Sequence, residues 1–247
     1  MSKNYINLFK QFNGLDKSIH LINRSVYKIT KNNYKEPNQL LNFNMFNYKN
    51  LYFDWGKLGI FNNIKNDISP LTYGIINYSI EKIDSSLRSA YSIQSLVINP
   101  IEKFGNEYIK NKYLNNLYNG KNIGCFALTE SHCRLYPTII KTKAIETKDY
   151  YIVNGSKMWI TNAPIADIFI IWCIDENNKI IGLVTERTEG IHTSFLNDKT
   201  SLMASPYGQI FLNNVKIPKQ NKLDIIGLKG PFYCLNKARY GILWGVI

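Results

Sequence analysis

The stretch YYIVNGSKMWITNAPIADIFIIWCID (residues 150–175) decides how this 247-residue chain folds. Strand-like runs lie on either side of Asn154-Gly155, a dipeptide suited to a two-residue turn because both positions tolerate positive φ, so the spacing predicts a hairpin there. Residues 166–175, ADIFIIWCID, are apolar almost without interruption, the pattern of a strand buried on both faces. The polar tetrad ENNK (176–179) and the run IIGLVTE (180–186) then predict a turn and a partner strand. Farther on, YGQIFLNNVKIP (207–218) predicts two short strands about Asn213-Asn214.

Upstream the period lengthens. Ile19, Ile22, Val26 and Ile29 recur at three- and four-residue steps from Asp16, forming one apolar face of a helix. Ser69-Pro70 is a cap followed by a first-turn proline, and Ile76, Ile80 and Ile83 continue that helix. Asp84 and Ser85 interrupt the pattern and predict the cap of another helix through LRSAYSIQSLVI. A further helix through Ile109, Tyr113, Leu114 and Leu117 is predicted to end at Asn119-Gly120. Helices followed by strands predict an α+β chain of two units with a boundary near residue 122. From Pro231 a last helix begins, with Phe232, Leu235, Ile242 and Val246 at helical spacing.

Composition excludes several classes. No apolar run approaches the length of a membrane-spanning helix, so no membrane association is expected. The first residues lack the apolar block of a secretory signal and the Arg/Ser-rich character of a transit peptide, which predicts a bacterial cytoplasm over a mitochondrial matrix. Cys125, Cys133, Cys173 and Cys234 are scattered without C-x-x-C spacing, so reduced thiols are expected and a metal site is not. The formal charge of +12 rests on lysines spread along the chain, with only five arginines. Without an Arg-rich tract or a DNA-binding motif, nucleic-acid binding is not expected, and A/T-rich codon usage accounts for the Lys, Asn, Ile and Tyr excess.

Four stretches in order, DSSLRSAYSIQS (84–95), GCFALTE (124–130), GSKMWITNAPIAD (155–167) and GPFYCLNKARYGILWG (230–245), resemble the acyl-CoA dehydrogenase family, and within it the glutaryl-CoA dehydrogenases most. The resemblance implies an N-terminal helical domain (1–122), a middle β-domain (123–228) and the start of a C-terminal helical domain (229–247), with Ile247 in that domain's first helix and the rest absent. It implies FAD as cofactor, with Phe126, Ala127, Leu128 and Thr129 along the flavin, Thr129 at its pyrimidine edge, and Trp159, Ile160 and Thr161 near the isoalloxazine and its N5. It implies that Arg88 and Ser89 hold the far carboxylate of an acyl chain, a task suited to a guanidinium, which pairs bidentately and stays charged when desolvated. Asn236 and Arg239 would lie near the CoA portion. An acyl-CoA thioester, an electron-transfer flavoprotein and, for the full-length protein, a homo-oligomer are the implied partners.

The departures from the family pattern are specific. Where it reads T-E-P-N-x-G-S-D-P, this chain has TESHCRLYP, with Arg134 and Leu135 replacing the Gly-Ser pair. Met203 stands in place of an arginine, and the glycine-rich loop before SPLTYG shortens to NNIKND. His132 beside Cys133 has no partner histidine at ligand spacing, so neither a metal nor a nucleophile is assigned. The glutamate that removes the α-proton in the family belongs to the C-terminal domain, so no catalytic residue is named. Three readings follow: a portion of a flavin-dependent dehydrogenase converting glutaryl-CoA to crotonyl-CoA, a non-catalytic remnant of that family, or a basic polyanion-binding protein.

Overall fold

A computed structural model describes residues 17–33, 45–62, 70–131, 140–196 and 199–245. Helices come first: α1 (Lys17–Asn33), α2 (Met45–Lys57), α3 (Pro70–Glu81), α4 (Ser85–Phe104) and α5 (Glu107–Tyr118). Among the described residues eight strands follow: β1 (Gly124–Ala127), β2 (Lys143–Glu146), β3 (Tyr150–Thr161), β4 (Ile168–Ile174), β5 (Ile180–Glu186), β6 (Ile191–Phe195), β7 (Tyr207–Pro218) and β8 (Lys222–Ile226). The helix α6 (Lys229–Leu243) closes the described chain. This is the expected α+β order of a helical unit, a β unit and one further helix. Asp16, Ser69 and the segment carrying His132, Cys133, Arg134 and Leu135 lie outside the described residues, as do most of NNIKND and Val246. The helical period expected through Val246 ends at Leu243, and Trp244 and Gly245 form a turn.

The predicted cap at Asp84 forms, and Asn106 supplies a second one that the sequence reading did not name. The Asp84 carboxylate accepts the Ser86 N–H at 2.6 Å and starts α4, and Asn106 accepts the Ile109 N–H at 2.9 Å and starts α5. Gly120 ends α5 with φ of 63°, a conformation that favours glycine. The central helix α4 is buried along nearly its whole length. Its Gln94 is fully buried, donates to the carbonyls of Leu117 and Asn122, and accepts the Gly124 N–H at 2.9 Å. One amide thus ties α4 to the end of α5 and to the first residue of β1.

The sheet runs β6-β7-β3-β2-β4-β5-β8, with β1 pairing in parallel on β4. β4 explains its own sequence. Ile168, Ile170 and Trp172 join the core shared with the helices, whereas Ala166, Phe169, Ile171 and Cys173 join a second core enclosed by the sheet. A strand with apolar neighbours on both faces has no polar positions to alternate.

Two expected turns are instead strand. The predicted hairpin at Asn154-Gly155 does not form: β3 runs straight through it, and β7 runs straight through Asn213-Asn214. The two sites face each other across a bulge, where Asn214 has φ of 51° and Gly155 has φ of 150°. The Asn154 amide donates to Asn214 Oδ1 at 3.0 Å, and the Asn214 N–H returns to Asn154 Oδ1 at 2.8 Å. A two-residue turn forms only if the flanking runs pair with each other. Here β2 and β7 already pair with both sides of β3, so the residues that tolerate positive φ are used to bend a long ribbon.

Candidate functional site

A second bulge lies near the end of β3. Between the pairs Lys157↔Ile210 and Ile160↔Gly208, Met158 and Trp159 oppose the single residue Gln209. Trp159 takes up the slack with φ of 60°, a left-handed conformation that is costly for a bulky side chain. Its indole is 40% exposed, between buried neighbours Lys157 and Ile160. Bulges re-aim side chains in this way next to functional sites.

The chain after β1 lies beside this bulge, since the Met158 N–H donates to the Thr129 carbonyl at 2.9 Å. Phe126 and Leu128 face the helix-side core, Phe126 against Trp172 with ring centroids 6.0 Å apart, and Ala127 is sealed in the other core. Thr129 is exposed, and Thr161 retains 6% of its surface. Neither threonine hydroxyl is committed to a partner among the described residues. The structure therefore brings Thr129, Trp159, Ile160 and Thr161 to one corner of the sheet, presenting an indole and uncommitted hydroxyls, while Ala127 and Ile160 supply packing.

The N-terminal part of α4 reaches the same corner. Thr161 pairs in register with Tyr207, whose hydroxyl lies 3.5 Å from Ser89 Oγ. The fully buried Asn162 holds φ of 69°, and its amide donates to the Tyr52 hydroxyl at 2.9 Å and the Gly124 carbonyl at 3.1 Å, with Ala90 O at 3.5 Å. Arg88, one residue before Ser89, turns towards α3, where Nε donates to Glu81 Oε2 at 2.6 Å, both side chains being mostly buried. The Ser85 hydroxyl donates to the other Glu81 oxygen. Glu81 engages Nε, and the two terminal guanidinium nitrogens make no hydrogen bond among the described residues. Tyr73 stands within the field of Arg88. Burial pushes its phenol up, and hydrogen bonds with Ser95 and Asn77, together with the arginine charge, offset only part of that.

Asn236 and Arg239 are placed differently. They are exposed on α6, and their hydrogen bond among the described residues is with each other, 3.0 Å apart. Met203 is also exposed. No group of His, Cys, Asp and Glu suited to a metal occurs among the described residues. A cleft of about 620 Å³ lined by Thr188, His192, Asn214 and Lys216 lies farther along β6 and β7 and contains none of these side chains. Sequence reasoning missed Glu81, Asn162 and Tyr207. The spacing of Glu81 and Arg88 across a helix boundary carries no periodic signal, and only the positive φ of Asn162 has a weak residue-type signature.

The class these elements define is a helical unit docked on a bulged, folded-over β-sheet, with a polar and aromatic corner where α4 meets the end of β3. Residues 65–121 match the acyl-CoA dehydrogenase N-terminal domain, and residues 125–215 match the acyl-CoA dehydrogenase middle domain. The chain carries these two domains of the acyl-CoA dehydrogenase family. Among curated proteins it is 33% identical over 201 residues to the short/branched chain specific acyl-CoA dehydrogenase of Rattus norvegicus mitochondria, covering 77% of this chain and 46% of that one. Among solved structures it is similar to glutaryl-CoA dehydrogenase from Mycobacterium smegmatis, with 29% identity, a TM-score of 0.87, and coverage of 94% of this chain and 62% of that one. A complex of a glutaryl-CoA dehydrogenase from the same organism with FADH2 gives 29% identity and a TM-score of 0.84, covering 96% of this chain and 64% of that one. The chain spans about half the length of the curated relative it matches.

Proposed function

We propose that this chain supplies the N-terminal and middle-domain wall of an FAD-dependent acyl-CoA dehydrogenase whose substrate is a short acyl-CoA ending in a carboxylate, glutaryl-CoA being the type. The carrying observation is the Arg88–Glu81 pair at 2.6 Å. A monocarboxylic or branched acyl chain gives no use for a mostly buried guanidinium held by one nitrogen. A terminal carboxylate does, because two parallel N–H···O bonds from the terminal nitrogens fit it.

The corner fits a flavin edge by its chemistry. The exposed Trp159 ring offers a packing surface, and Thr129 and Thr161 offer hydroxyl donors not spent elsewhere among the described residues. FAD, when bound, supplies the acceptor for the β-hydride. This chain's part is to hold the ring edge with Thr129, Trp159 and Thr161, and to anchor the far end of the acyl chain with Arg88 and Ser89. Asn236 and Arg239, facing solvent on α6, are proposed to meet the CoA portion. We assign the α-proton acceptor to no residue of this sequence, and decarboxylation and transfer of electrons to an electron-transfer flavoprotein are proposed on the same resemblance.

The test is binding. The FAD-loaded chain is titrated with glutaryl-CoA and with 2-methylbutyryl-CoA, following the flavin absorbance. Arg88→Met is expected to weaken glutaryl-CoA by about 10- to 100-fold, the effect of a lost charge-assisted pair, and to leave the branched ligand unchanged. Equal losses for both ligands, or tighter binding of the branched one to the native chain, would remove the dicarboxylate assignment. A non-catalytic remnant is the second reading, supported by Met203, which replaces a family arginine with an exposed thioether. Failure of the native chain to retain FAD favours it.

A further inference from the structure

Beneath the same corner lies an ion pair that the roles above do not use. Lys157 is fully buried and Glu130 is 2% exposed, with Nζ and Oε1 2.8 Å apart. The ammonium also donates to the Leu128 carbonyl at 3.2 Å and the Trp172 carbonyl at 2.5 Å, which accounts for its three N–H bonds. Glu130 Oε1 accepts the Thr142 N–H at 3.0 Å and its hydroxyl at 2.5 Å, and Oε2 accepts the Lys141 N–H at 2.8 Å.

With these bonds engaged, the pair is poorly placed to trade a proton. Stability alone does not call for it either, because buried pairs exchanged for well-packed apolar residues are often neutral. What two apolar side chains cannot do is grip carbonyls and amides from three separate segments at once, at Leu128, Lys141–Thr142 and Trp172. Leu128 and Glu130 flank Thr129, and Lys157 precedes the strained Trp159 by two residues. A left-handed tryptophan persists only where its surroundings over-determine it.

We propose that the Lys157–Glu130 pair is a positioning device, fixing residues 128–130 against 157–159 so that the Thr129 hydroxyl and the Trp159 ring form one surface for the flavin. The inference rests on the flavin reading given above. Glu130→Gln keeps the shape but sets an NH2 group against one of the donors. Thr142→Val removes a single hydroxyl at nearly constant volume. In both variants two quantities are measured: hydrogen exchange at the Met158 amide against amides of helix α5, and the FAD dissociation constant from flavin fluorescence quenching.

Glu130→Gln is expected to speed Met158 exchange and raise the FAD constant by about tenfold or more each, with α5 unchanged and Thr142→Val falling between. Native-like Met158 protection in both variants overturns the inference. So does faster exchange with unaltered FAD affinity. A native chain that binds no FAD removes the flavin reading instead, and Met158 protection then decides the positioning claim alone. If Glu130→Gln does not fold, Thr142→Val carries the decision by the same two readouts.

Discussion

Asn162 joins the helical unit to the sheet, and its replacement has a magnitude that follows from its partners. In Asn162→Ala two good hydrogen bonds disappear, to the Tyr52 hydroxyl and the Gly124 carbonyl, at about 1 kcal/mol each. The Gly124 carbonyl is left buried without that donor, for about 1 kcal/mol more, and alanine at φ of 69° adds another ~1 kcal/mol. The sum is about 4 kcal/mol by urea unfolding followed by far-UV circular dichroism. Asn162→Asp has nearly the same shape but turns a carboxylate oxygen towards those oxygen acceptors. Its folded-state pKa must rise above the ordinary ~3.9, because burial and neighbouring carbonyl dipoles disfavour the charge. Stability relative to Asn162→Ala therefore falls as pH climbs from about 4 to 7, and recovers on acidification as the protonated acid donates one bond. Asn162→Asp matching or exceeding Asn162→Ala at pH 7, or a difference between them that ignores pH, would refute the reasoning.

Two further outcomes follow from buried titratable groups. Burial alone would raise the Glu130 carboxyl, but the Lys157 ammonium, the Thr142 hydroxyl and the Lys141 amide more than offset it and hold it below the usual range. Its stabilisation is therefore present at neutral pH and lost as pH falls below about 4.3 towards the folded value, so unfolding curves of native protein and Glu130→Gln should converge in acid. Burial also pushes the Cys173 and Cys234 thiols up to about 12, and the Cys125 thiol higher, with the Arg187 charge offsetting little of it. In a Cys133→Ser background, no thiol should react with an alkylating reagent at pH 8 before denaturant is added, and three should react afterwards. A thiol labelled rapidly in the folded state would contradict the packing.

Elements whose signal is local were legible in the sequence. Asp84 reads as a cap and is one, Gly120 reads as a stop and is one, and the unbroken apolarity of residues 168–174 declares a strand between two cores. What failed was arbitration between near and distant partners. Asn154-Gly155 has the chemistry of a turn, yet β2 and β7, encoded before and after, claim its flanks. The site divides similarly. The Thr129 and Trp159 stretches were found by resemblance, but nothing in the order of residues announces that Trp159 would sit in a bulge. A lysine is ordinarily read as surface, so the burial of Lys157 was invisible until Glu130, 27 positions away, closed on it.

β3 has a vulnerable interval during synthesis. Its first edge finds β2 almost at once, but its second waits for β7, translated after β4, β5 and β6. Until then a long ribbon offers unpaired amides and carbonyls to any neighbouring nascent chain. Slower initiation or a cooler host should therefore raise the yield of folded material by giving each ribosome's product time to cover that edge.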